Sequence, residues 1–185
     1  KPSEAFIVDL SNGNYTLIEK KVVIEGQKTA YFSEKFLEIT VPVTTKEQIK
    51  EIKKTVTHIA KKHDEEPYKA LATTQQAIFH QLEEQNEIDA AAIFDKVFEE
   101  KPLAREAAQL AITEERVPEK IAVTNVPKYE RKYSKQKFKL DNGIEITIPS
   151  EIYENKEMVE FINNPDGSVS VLIKNIESIL NKFNA

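Results

Sequence analysis

The segment Phe138–Ile176 constrains the fold more than any other part of the chain, because it holds two hairpin signals in succession. Phe138, Leu140, Ile144, Ile146 and Ile148 alternate with polar residues around Asp141-Asn142-Gly143. Asn-Gly between alternating apolar residues marks a hairpin, since a type I′ turn needs positive φ at both central positions. Downstream, Val159-Glu160-Phe161-Ile162 and Val169-Ser170-Val171-Leu172-Ile173 flank Asn164-Pro165-Asp166-Gly167. There proline presets the turn and glycine supplies the left-handed residue that follows a longer turn. Local chemistry alone thus predicts C-terminal antiparallel β-hairpins. Ile176, Ile179, Leu180 and Phe183 then predict a short amphipathic terminal helix, docking on the sheet or on a partner chain.

The rest of the chain alternates in character. Residues 5–10 and 15–24 read as strands around Ser11-Asn12-Gly13-Asn14, and Gly26 closes the next turn. Phe32 to Ile39 supplies a third strand or a connector. Thr45 opens the clearest helix, with Ile49, Ile52, Val56 and Ile59 on one face. Lys46, Lys50, Lys53, Lys54 and Lys61 cluster on another face, over ~22 Å of helix axis. This stripe reads either as a solvated face or as a phosphate-facing one. A second helix follows Asp64-Glu65-Glu66-Pro67, with Leu71, Gln75, Ile78 and Leu82 inward. Asp89 N-caps a third carrying Ile93, Phe94, Val97 and Phe98, and Pro102 opens a fourth. Short links between them predict a bundle. Pro118 breaks the helical region, and Ile121-Ala122-Val123 reads as a short strand. The expected class is α+β. Its parts are an N-terminal β-hairpin region at 1–44, a central helical bundle at 45–118 and a β-rich C-terminal part at 119–185. The chain begins in mid-pattern at Lys1-Pro2-Ser3-Glu4, which reads as a piece of a longer protein.

Charge is distributed in blocks. The net charge is −5, yet residues 120–140 carry seven bases against one acid, and residues 64–119 carry fourteen acids against five bases. Within the basic block, Val126 to Lys139 interleaves tyrosines with Lys128, Arg131, Lys132, Lys135, Lys137 and Lys139. Lysine and arginine release counterions from phosphates, and a tyrosine can stack on an unpaired base. The competing reading is a charged linker into an edge strand, where lysines discourage edge pairing.

Reactive constellations are lacking. With no cysteine, disulfides, thiolate zinc sites and cysteine nucleophiles are excluded, and a reducing compartment is favoured. The four glycines all fall in turns, and His58, His63 and His80 lack metal-site spacing. The doublets Glu83-Glu84, Glu99-Glu100 and Glu114-Glu115 sit near helix ends as solvated surface. No catalytic residue, metal ligand or cofactor site is assigned. No apolar run approaches the ~20 residues of a membrane span. Asn14-Tyr15-Thr16 is only formally a glycosylation acceptor, and a cytoplasmic location is expected.

Several stretches carry a resemblance. They are Asn142-Gly143-Ile144-Glu145-Ile146, Ile148-Pro149, Val159 to Ser168, and Ile173-Lys174-Asn175-Ile176. Upstream they are joined by Phe6-Ile7-Val8-Asp9-Leu10, Leu17 to Lys21, Tyr31-Phe32-Ser33-Glu34, Ile52 to Val56, and Thr74 to Ile78. Together they resemble the bacterial nucleoid-associated protein family (NdpA/YejK-like), in its Gram-positive-type members, over nearly the whole chain. The resemblance implies a cytoplasmic, nucleoid location, association with DNA and no catalysis. It also implies that Lys1 lies near the middle of the full protein. The expected DNA-contacting residues are Lys128, Arg131, Lys132, Lys135, Lys137 and Lys139, with the Lys46 to Lys61 helix face second. A protein-interaction or homodimerisation module, reaching the nucleoid through a partner, is the alternative.

Overall fold

Helix formation begins where the sequence places its first long amphipathic stripe. In the computed structural model, which describes residues 4–13, 15–24, 26–38, 43–114 and 116–181, helix α1 spans Thr45–Lys62. The expectations touching Asn14, Ile39, Glu115 and Phe183 lie outside the described residues. The chain divides into two compact units, Lys1–Thr44 and Thr45–Ala185.

The first unit holds two small antiparallel pairs. Strand β1 (Ala5–Val8) pairs with β2 (Tyr15–Ile18), and β3 (Val22–Ile24) with β4 (Gln27–Thr29). The expected strand 15–24 is interrupted after Ile18. Glu19 leaves the ladder to accept hydrogen bonds from the Phe32 and Ser33 amides and, at 2.6 Å, the Ser33 hydroxyl. Those bonds, led by the Ser33 hydroxyl, hold the Glu19 carboxyl below its ordinary pKa. They cap a π-helical turn, Tyr31–Phe36, where a strand or connector was expected. The rings of Phe6 and Phe32 (5.7 Å between centroids) pack the turn onto the first pair.

The second unit is built around α2 (Pro67–Glu84), which packs on α1. Strand β5 (Glu87–Asp89) leads into α3 (Ala90–Val97), N-capped by Asp89 accepting from the Ala92 amide at 2.9 Å. Helix α4 (Pro102–Thr113) follows, packing on α3 and α1, and β6 (Lys120–Ala122) returns to pair antiparallel with β5. Ile52, Val56, Ile78, Leu82, Ile88, Ile93, Phe94, Phe98 and Ile121 are among the large side chains of this core, each at most 2 % exposed. Each is worth roughly 1.5–3 kcal/mol of burial, which is why the period-3.6 stripes of the sequence set the bundle.

Helix α5 (Val126–Tyr133) occupies ground that the linker reading left irregular. The Asn125 side chain caps it by accepting from the Lys128 amide at 3.3 Å, and Pro127 lies in the first turn. Strand β7 (Lys135–Lys139) then pairs with β8 (Glu145–Pro149), α6 (Ser150–Glu154) turns the chain, and β9 (Val159–Asn163) pairs with β10 (Val169–Ile173). Both hairpins form where expected, as separate two-stranded ladders. The first turn differs from the expected type I′. Leu140 N–H donates to the Ile144 carbonyl at 2.8 Å and Gly143 N–H to the Leu140 carbonyl at 3.1 Å, with positive φ at Gly143 (+87°) but not at Asn142. This is a three-residue loop ending in a left-handed glycine, and it needs only one residue free of a Cβ. The second hairpin repeats it, with Gly167 at φ +83°.

The terminal helix is a correction. Residues 174–181 form no helix, and Ile179 and Leu180 are 86 % and 82 % exposed. Asn175 turns left-handed (φ +55°) while its side-chain Nδ2 donates to the Glu157 carbonyl at 3.0 Å. So short a helix is stable only when its apolar face is packed, and here those side chains face solvent.

Candidate nucleic-acid interface

All eleven cations singled out in the sequence are solvent-exposed. On α1, burial of Ile49, Ile52, Val56 and Ile59 forces Lys46, Lys50, Lys53, Lys54 and Lys61 outward. On α5, Lys128, Arg131 and Lys132 share one face because Tyr129 and Tyr133 are buried on the other. Along β7, Lys135, Lys137 and Lys139 alternate with buried Gln136 and half-buried Phe138. Among the described residues only Lys54 of the eleven is ion-paired, to Glu51 at 2.7 Å. The others keep their charge uncompensated by a carboxylate contact. Lys132 lies 5.0 Å from the Tyr133 ring centroid and Lys128 5.5 Å from that of Tyr129, so the tyrosine faces steady the ammonium groups.

The two tyrosines overturn one expectation. Tyr129 and Tyr133 are 8 % and 7 % exposed and belong to the hydrophobic core. They anchor α5 instead of offering faces to a base. Burial, with Tyr129 beside it, pushes the Tyr133 hydroxyl up to about 12.

The basic strand is held firmly. Gln75 on α2 donates to the Lys135 carbonyl at 2.8 Å and the Tyr133 carbonyl at 3.2 Å. Gln136 donates to the Ala72 carbonyl at 3.0 Å, and the Ser150 hydroxyl donates to the Tyr133 carbonyl at 2.8 Å. Four polar contacts thus fix the α5–β7 junction against α2 and α6, where an unsatisfied buried group would be costly.

Beside that junction opens a cleft of about 680 Å³. Lys53 of α1 and Lys137 and Lys139 of β7 line it, against a single lining carboxylate, Asp141. The structure therefore brings one member of the helix stripe together with two of the strand cations. Lys46, Lys50, Lys54, Lys61, Lys128, Arg131, Lys132 and Lys135 lie outside the cleft wall. The rings of Tyr68, Phe138 and Phe161 also line it, with the buried Tyr133 of α5 at its wall. Sequence reasoning missed this aromatic group; its one local signal is Phe138 standing between two lysines.

Among the described residues no cluster could hold a metal ion, and no helix is long and apolar enough to cross a membrane. Residues 1–181 match a family model described as nucleoid-associated protein YejK. The chain belongs to that family. No curated protein and no solved structure matches it. Membership in the YejK family identifies a nucleoid-associated protein and gives it a cytoplasmic, nucleoid location.

Proposed function

We propose that this YejK-family chain contacts DNA directly and without catalysis, through weak, sequence-tolerant phosphate binding by its lysine patches. The observation that carries the reading is the convergence of Lys53 with Lys137 and Lys139 on one cleft. Lysine contacts to phosphate position a protein on the backbone but carry no sequence information, so affinity is salt-sensitive and tolerant of sequence. The cations on α5 and along α1 extend the basic surface beyond the cleft.

The test is a fluorescence-anisotropy titration of a labelled duplex at several salt concentrations. Replacing Lys53, Lys137 and Lys139 with glutamine should lower the slope of log affinity against log salt by about 2–3. Failure to bind at low salt would sink the reading. An unchanged slope in the triple variant would sink the assignment to the cleft. A second reading, a protein-interaction module, is favoured by the exposed Ile176, Ile179 and Leu180 next to β10. A pull-down of one defined partner that survives nuclease treatment would support it over direct contact.

A further inference from the structure

We infer that the cleft receives an unpaired nucleotide, so that the protein prefers single-stranded or locally melted DNA to an intact duplex. The inference rests on the proposed DNA contact and adds the form of the DNA. A duplex offers its phosphates on a convex surface and keeps its bases stacked inside. A concavity of about 680 Å³ is of the size that encloses a small ligand, which a row of phosphates does not require. Its walls carry what an unpaired nucleotide needs. Lys53, Lys137 and Lys139 meet the backbone, while Tyr68, Phe138 and Phe161 supply ring surface.

The rings are preorganised. Phe138 and Phe161 lie 5.0 Å apart between centroids, and Tyr68 lies 5.8 Å from Phe161. Tyr153, outside the cleft lining, packs on Phe138 at 5.5 Å and on Phe161 at 5.6 Å. The rings of Tyr68, Phe138 and Phe161 are half-buried, so each is held by its neighbours. The loops of the two C-terminal hairpins complete the wall through Asn142 and Gly167. The role first assigned to the tyrosines of α5 thus falls to half-buried rings assembled from α2, β7 and β9, with the core-buried Tyr133 bordering the same cleft.

The test compares three probes of equal length on the intact chain: an oligothymidylate, an abasic strand of the same phosphate count, and a duplex. The oligothymidylate should bind about 5- to 150-fold more tightly than the abasic strand, the range that one stacked base supplies. It should also quench the chain's tyrosine fluorescence, which no tryptophan obscures. Phe161→Leu, which keeps an apolar side chain but removes the ring, should lose that preference and still bind the abasic strand. Equal affinity for the oligothymidylate and the abasic strand would overturn the inference while leaving the phosphate reading intact. No binding of any probe would overturn both. Should Phe161→Leu fail to fold, the abasic comparison on the unaltered protein decides.

Discussion

Replacing Gln136 by alanine should loosen the basic strand by a predictable amount. Gln136 is 3 % exposed and its amide donates to the Ala72 carbonyl at 3.0 Å. Losing one such bond costs about 1 kcal/mol net. Removing the buried Cγ methylene and the amide adds about 1 kcal/mol or more, because the site cannot fully collapse. The sum is about 2 kcal/mol, or roughly 6–8 °C in Tm for a unit of this size. Gln136→Met separates the two contributions. It keeps the length and apolar contact of the side chain but removes the donor. The Ala72 carbonyl lies inside α2, where the helix ladder supplies its other partner, so this variant should cost about 1 kcal/mol or less. Urea melts followed by far-ultraviolet circular dichroism report unit 2, which holds all six α-helices of the described residues. An alanine variant within about 0.5 kcal/mol of the parent would refute the claim that this hydrogen bond secures the strand.

Two further outcomes follow from the same geometry. Alanine at Gly143 or Gly167 meets no atom within 4 Å, so its cost is purely that of the left-handed backbone, about 1–2 kcal/mol each, read as a shift in urea midpoint. Asparagine at either position should recover part of it. Burial raises Tyr133 and Tyr153 to about 12, above the value of about 10 they regain on unfolding. Their neutral forms therefore contribute stability that is present below about pH 10 and lost as pH climbs towards 12. An ultraviolet titration of tyrosinate should show two of the six tyrosines ionising last; ionisation of all six near pH 10 with the fold intact would contradict their burial.

The parts of this fold that were legible are those in which neighbouring residues decide the outcome. Ile49, Ile52, Val56 and Ile59 needed only helical periodicity to place α1, and the cap at Asp89 needed only the residue before an apolar run. Both C-terminal hairpins were legible for the same reason. The type of the first turn was not, because Asp141 joins Asn142 and Gly143 in the loop and leaves the glycine alone at positive φ. Helix α5 was hidden by composition. Its lysines resemble a linker, yet Asn125 caps it and Tyr129 and Tyr133 stand one helical turn apart. The terminal segment failed in the opposite direction: Ile176, Ile179 and Leu180 have helical spacing, but spacing does not create a surface to pack against. The cleft exceeds local reasoning altogether. Its lysines come from α1 and β7 and its rings from α2, α5, β7 and β9, so it exists only once α2 has gathered them. The eleven cations were visible one by one; which three share a cavity, and with which rings, is a property of the tertiary structure. A binding site formed in this way should be lost with the packing that builds it. Variants that loosen the α5–β7 junction, Gln136→Ala among them, should therefore weaken DNA binding through the cleft without changing a single charge.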